Sequence, residues 1–150
     1  MNARSVMPRS KEVIAASRGF FWVVALAYAA FVIYGSLVPL DFHPIALDEA
    51  MTRFRRIPYL QLGVASRADW MANLLLFIPL AFFWMGALAQ GRGTSARIAA
   101  SMGIAFCAVG LSAAIEFVQL YFPQRTVSLN DLYAESLGGL IGILVWWLGG

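Results

Sequence analysis

The sequence predicts an all-α integral membrane protein, a bundle of four transmembrane helices, and three observations carry that prediction. Of 150 residues, 61% are hydrophobic and 13% charged, with a mean hydropathy of +0.73. A soluble domain of this length is nearer half apolar and a quarter charged. The uncharged residues are also gathered into four long runs, and the polar residues that interrupt them fall near the ends of those runs. So large an apolar excess cannot be hidden in one small core, which excludes an ordinary soluble enzyme. A disordered chain is excluded on the same ground. Cys107 has no partner cysteine, so the chain is not a disulfide scaffold.

The predicted spans are 19–40, 70–91, 98–120 and 131–149. A hydrocarbon core of roughly 30 Å needs about 20 helical residues. The first two runs meet this length outright, and the third does so across Glu116. The fourth does so when its helix starts at Asn130 or Asp131. Pro39 closes the first span, because proline cannot continue the hydrogen-bond ladder. That span is longer than the apolar stretch of a cleaved signal and no A-x-A-like site follows it closely, so it reads as a membrane helix.

An even number of spans puts both termini on one side. Arg4, Arg9, Lys11 and Arg18 precede the first span within a basic segment, 1–18, and Arg92 and Arg97 fill the short link after the second. Both stretches belong in the cytoplasm by the positive-inside tendency, which gives an N-in, C-in topology. The long outer loop also carries arginines, at Arg53, Arg55, Arg56 and Arg67. Within it, 47–63 sets Met51, Phe54, Ile57 and Leu60 at spacings of three. This suits either a short amphipathic turn in the headgroup layer or a solvated loop with anchoring side chains, and Pro58 bars a long helix. Trp22, Trp70, Trp84, Trp146 and Trp147 fall mostly near span ends, as interfacial anchors do. The net charge of +3 and pI near 9.4 come without a basic stripe interleaved with aromatics. Membrane lipids are therefore the expected partners, and nucleic acid is not.

The polar belt is the informative feature. Asp69 and Asn73 share a helix face at the start of the second span. Ser112, Glu116 and Gln119 share one at the end of the third, Arg125 lies in the next link, and Asp131 and Glu135 share a face at the start of the fourth. In an up-and-down bundle all these positions reach the same membrane surface. Asp69, Asn73, Glu116, Gln119, Arg125, Asp131 and Glu135 are thus the candidate ligand-binding residues. A carboxylate at mid-membrane costs about 2.5–3.5 kcal/mol, so Glu116 is expected to face the bundle, protonated or paired with Arg125. Plainer roles stand beside this one. Asp69 and the Ser128–Asp131 segment suit helix caps, and Glu116 with Gln119 suits interhelical hydrogen bonding. Pro79 suits a kink, Gly138 and Gly142 suit close helix packing, and Cys107 suits inert core packing. Metal-ligand spacings, a Ser/His/Asp set and a phosphate-binding glycine loop are all missing from the sequence. His43, the single histidine, sits in a loop beside a proline. No metal and no cofactor are expected.

Several of these segments resemble the VanZ-like family. The resemblance is carried by DWMANLLLFIPL at 69–80, EFVQ at 116–119, PQRTVSLND at 123–131 and GGLIG at 138–142. SLVPLDF at 36–42, closing the first span, is similar too. The likeness runs from about Tyr34 to Trp147. It implies a small polytopic protein of the bacterial cell envelope, in the cytoplasmic membrane. The family's namesake is associated with reduced susceptibility to the glycopeptide teicoplanin. The recurring polar positions map onto Asp69, Asn73, Glu116, Gln119, Arg125 and Asp131. Two positions depart from the pattern: Ala81 stands where glycine is common, and Glu135 where asparagine is frequent. Many relatives continue past the fourth span, so this chain is either a minimal version or part of a longer one.

Three functions fit this reading. The leading one is binding or handling of an anionic envelope amphiphile at an outer-leaflet polar pocket. The ligand classes are a prenyl-phosphate, a phospholipid and a lipid-linked glycopeptide or other glycolipid. Arg125 grips the head in this reading, while Asn73 and Gln119 donate hydrogen bonds. The first alternative is a structural subunit that assembles as a homo-oligomer or with a larger envelope complex. The second is an intramembrane hydrolase or transferase with Glu116 and Asp131 as acid and base, and with Ser112, Ser128 or water as nucleophile.

Overall fold

A computed structural model describes residues 7–60 and 64–149. These residues form five helices: α1 (Met7–Leu37), α2 (Leu47–Phe54), α3 (Val64–Ala89), α4 (Thr94–Gln119) and α5 (Leu129–Gly149). Among the described residues there is no strand. All but α2 are long and apolar enough to cross a membrane, with candidate spans Glu12–Leu37, Arg67–Ala89, Thr94–Gln119 and Leu129–Gly149. The four expected spans are therefore present, with shifted starts. α1 begins within the basic N-terminal segment because lysine, arginine and glutamate favour helix and the ladder does not stop at the membrane edge. Its 31 residues correspond to a rod of about 46 Å at 1.5 Å per residue, longer than the apolar layer. Arg4 lies outside the described residues, as does the end of the outer segment at 61–63.

The helices pack unequally. α3 against α5 is the most extensive contact, followed by α1 on α3, α4 on α5 and α3 on α4, while α1 barely meets α4. The α3–α5 contact depends on glycine. A Cβ at Gly138 would lie 2.3 Å from the Leu74 carbonyl oxygen, and one at Gly142 would lie 2.2 Å from that of Ile78. No methyl group fits at either distance, so α5 sits directly on the backbone of α3 in the turns that lead to Pro79. α3 runs through that proline without interruption. The methyl of Ala81 fits beside Gly142, where a Cβ would approach it to 2.9 Å, only because position 142 has none. On the α4 side, a Cβ at Gly139 would meet Ala108 at 2.8 Å.

Aromatic rings join α1 to α3. Trp22 meets Trp84 edge-on at 5.2 Å, Tyr28 meets Phe83 at 5.7 Å, and Phe21 meets Phe82 at 6.3 Å. Such pairs contribute about 0.5–1.5 kcal/mol each beyond their buried area. Several of the tryptophans also pack against neighbouring helices. Trp146 is 3% exposed, with the Arg97 guanidinium 5.6 Å from its ring centroid, and the Trp147 indole donates to Ser101 Oγ at 2.9 Å. Cys107, expected in the core, is exposed instead and borders an apolar cleft of about 520 Å³ between α1, α3 and α4.

α2 realises the amphipathic segment of the α1–α3 link as a helix of 8 residues that stops before Pro58. Acids open it and Arg53 closes it, the order that suits the helix dipole. Its Ala50 is fully buried, and the Phe54 ring packs edge-on against Phe117 of α4 at 5.4 Å.

Gly142→Ala forces α3 and α5 apart and is expected to destabilise the protein by about 1–3 kcal/mol. Gly110→Ala, where a new Cβ meets nothing within 4 Å, is expected to leave stability unchanged or slightly raised. Thermal unfolding of the two variants in the same detergent checks the pair.

Candidate functional site

One end of the bundle gathers the last turns of α1 and α4, the first turns of α3 and α5, and the α4–α5 link. A cavity of about 450 Å³ opens there, lined by both polar and apolar side chains. Phe31, Gly35 and Ser36 supply the α1 wall, and Asp69, Ala72, Asn73 and Leu76 the α3 wall. Gln124, Arg125 and Thr126 of the link close it with Asp131 of α5. Four of the seven expected residues, Asp69, Asn73, Arg125 and Asp131, therefore share one cavity. The other three, Glu116, Gln119 and Glu135, lie behind its wall at 1%, 4% and 1% exposure.

The buried three hold the frame. Glu116 Oε2 accepts a hydrogen bond of 2.9 Å from the Ser128 backbone N–H, at the N-terminus of α5. Ser128 is the N-cap of that helix: its Oγ accepts from the Asp131 N–H at 3.2 Å and donates to Asp131 Oδ2 at 2.8 Å. In a capping box the residue at the third helical position also reaches back to the N-cap N–H. Here Asp131 turns to the hydroxyl and Glu116, from another helix, takes the N–H. The positive end of the α5 dipole thus offsets part of the cost of burying Glu116. Gln119 Nε2 donates to the Ser36 carbonyl at 2.8 Å, tying α4 to the last turn of α1. Glu135 lies beside the Ser112 hydroxyl, which also points to the Leu132 carbonyl at 3.4 Å.

Two expectations are corrected by this geometry. Glu116 is not ion-paired with Arg125. The Ser128 N–H occupies the place given to the arginine. Arg125 instead lines the cavity, with its Nη1 toward the Val38 carbonyl. Asp69 does not cap α3 either, since that helix starts a turn and a half earlier at Val64 and leaves Asp69 exposed on the cavity rim.

Arg125 is the distinctive group. Its Nη1 reaches the Val38 carbonyl at 3.5 Å, while its Nε is buried with no hydrogen-bond partner. Glu116, Asp131 and Glu135 all lie within electrostatic range of it. The chain reversal after α1, where Leu40 adopts φ +62°, places 38–43 against this link. The Tyr121 carbonyl accepts from the His43 N–H at 2.8 Å, and Gln124 Nε2 donates to Asp41 Oδ2 at 3.3 Å.

Asn130, read from the sequence as a cap, does something else. Its Oδ1 accepts from the Leu60 N–H at 2.8 Å and its Nδ2 donates to the Leu60 carbonyl at 3.2 Å. The adjacent Leu129 N–H donates to the Pro58 carbonyl at 3.0 Å. This clasp pins the α1–α3 link to the start of α5. Ser36 was overlooked in the sequence, though as a polar residue one turn before Pro39 it carried a signal.

These features define a multi-pass all-α membrane protein with a half-polar cavity let into one end of a four-span bundle. The cavity wall is drawn from the segments whose spacing resembled a known family. Residues 14–149 match VanZ/LLP1, and the chain belongs to the VanZ-like family. No curated protein and no solved structure matches it.

Glu116→Gln retains an oxygen acceptor for Ser128 and is expected to stay within about 1 kcal/mol of the parent stability. Glu116→Leu leaves a buried N–H unpaired and is expected to cost about 1–3 kcal/mol, read by thermal unfolding. Asn130→Ala is expected to speed hydrogen exchange at the Leu60 amide while the amides of α3 keep their protection.

Proposed function

We infer that this protein binds the phosphate-bearing head of an envelope lipid in the cavity between α1, α3 and the α4–α5 link. The observation that carries the reading is Arg125: a cavity-lining arginine with a buried, unpartnered Nε and no ion pair among the described residues. An unsatisfied guanidinium N–H favours an oxyanion, and arginine engages phosphate through two parallel hydrogen bonds. Asp69 and Asp131 line the same cavity, so a bare phosphate meets repulsion there. A head that also carries hydroxyl or amino donors suits all three side chains, with Asn73 able to donate or accept. Phospholipids, glycosylated prenyl-phosphates and lipid-linked glycopeptides share this chemistry.

The membrane in this reading is the bacterial cytoplasmic membrane, with the cavity opening to the outer leaflet. That side follows from the basic flanks at the opposite end, Arg18 and the link with Arg92 and Arg97. The family's association with teicoplanin susceptibility accords with handling of lipid-anchored glycopeptides or of their lipid-linked targets. Binding is favoured over catalysis because, of the acid–base pair Glu116 and Asp131, only Asp131 lines the cavity, while Glu116 is buried behind its wall with Oε2 on the Ser128 backbone N–H. A purely scaffolding role is favoured only for Glu116 and Gln119, whose hydrogen bonds lock helices together.

Native mass spectrometry of the protein released from membrane nanodiscs tests the assignment. A retained phosphate-bearing lipid is expected on the parent. On Arg125→Ala the loss of a charge-assisted contact of about 1.5–3 kcal/mol should weaken binding about 10- to 100-fold, with unfolding temperature unchanged. Equal lipid retention by parent and variant would sink the reading.

A further inference from the structure

The helices that flank the cavity, α1 and α3, are zipped along most of their length and part at the cavity end. At the far end a Cβ on Gly91 would lie 2.7 Å from Ile14, and one on Gly86 would lie 2.4 Å from the Phe21 ring. The Trp22–Trp84 and Tyr28–Phe83 ring pairs continue the contact, and the fully buried Val32 and Phe77 share one core cluster. Past Val32 the two helices face each other across the cavity. Phe31 and Gly35 stand on one side of the gap, Ala72 and Leu76 on the other. Phe31 is 56% exposed, Gly35 and Ala72 are exposed as well, and a Cβ on Gly35 would meet nothing within 4 Å. All four lack polar side-chain atoms and belong to helices long and apolar enough to cross a membrane. The polar cavity is therefore bounded toward the bilayer by an opening with apolar jambs.

The geometry points to a lateral portal between α1 and α3: a lipid enters from within the bilayer, its head reaches Arg125, and one hydrocarbon chain stays in the gap between Phe31 and Leu76. This rests on the headgroup reading above and adds the route and the seat of the chain. A lipid arriving through the aqueous mouth would have to draw its chains through water, where every methylene is unfavourable. Along the lateral route the chain exchanges lipid neighbours for Phe31 and Leu76 and never leaves an apolar medium. The aromatic zipper below Val32 keeps the opening local, since it holds α1 and α3 together while their other ends stand apart.

The test uses vesicles of phosphatidylethanolamine and phosphatidylglycerol in which the phosphatidylglycerol bears a diazirine on an upper acyl carbon. After photolysis, labelled residues are mapped by peptide mass spectrometry. Labelling at Phe31 and Leu76 is expected to exceed that at Phe106, which is 82% exposed on α4 and serves as the bulk-lipid reference. Gly35→Trp is expected to abolish the excess, and Ala72→Leu, a milder block, serves the same end should the first variant fail to fold. Loss of the excess in Arg125→Ala as well supports both portal and head site. An excess that survives Arg125→Ala but is lost with either block supports the portal and removes the headgroup assignment. No excess over Phe106 in the parent, or an excess unchanged by both blocks, overturns the portal; Arg125-dependent lipid retention in the nanodisc experiment then still stands separately.

Discussion

The close seating of α5 on the backbone of α3 is the constraint on which the rest of this structure depends. In a bilayer, apolar side chains gain nothing from leaving lipid for one another, so helices associate where their backbones can approach closely. Gly138 and Gly142 allow that approach, and the carbonyls of Leu74 and Ile78 are what they meet. With α3 and α5 fixed, Asp69 and Asn73 on one helix stand opposite Asp131 on the other. α1 and α4 are then added around this pair, α1 by its rings and α4 through Gly139 and the polar bonds at its end. The cavity exists because the two added helices do not close over the end of the central pair.

The polar residues divide into two groups by what they touch. Glu116, Gln119 and Asn130 are buried and bond backbone groups of other segments, while the buried Ser128 hydroxyl caps its own helix at Asp131. In doing so they fix where helices begin and end. Asp69, Asn73, Arg125 and Asp131 line the cavity, and all except Asp131 are held by few bonds. A substitution in the first group is felt as stability, and one in the second, on the proposed binding function, as recognition. A single polar belt in the sequence thus contains two functions separated by a few ångströms of depth.

Much of this was legible beforehand, for physical reasons. Runs of apolar residues locate spans because the bilayer sets their length, and an i, i+4 pair such as Asp131 and Glu135 shares a face by helix geometry alone. Convergence of seven polar residues at one end followed from the up-and-down order. Spacing did not reveal which of them turn into the cavity, because that depends on the rotation of each helix, set by partners far away in sequence. Glu116 illustrates the limit. Its depth implied a partner, but the nearest cation in sequence was chosen when an N–H of another helix was available. The start of α3 was missed for a similar reason, since the helix extends beyond the apolar run that announces it. The two-way clasp of Asn130 on Leu60 joins residues 70 positions apart and has no local signature.

That clasp has a consequence for how the protein is made. The α1–α3 link is held by Leu129 and Asn130, the first residues of the last span, and the N-cap of that span is in turn held by Glu116. None of these bonds can form while α5 is still in the ribosome or the insertion machinery. A nascent chain with three spans already inserted therefore has its loop untethered, one carboxylate without its N–H, and the cavity lacking its Asp131 wall. The cavity is thus completed in a single late step, with the last helix.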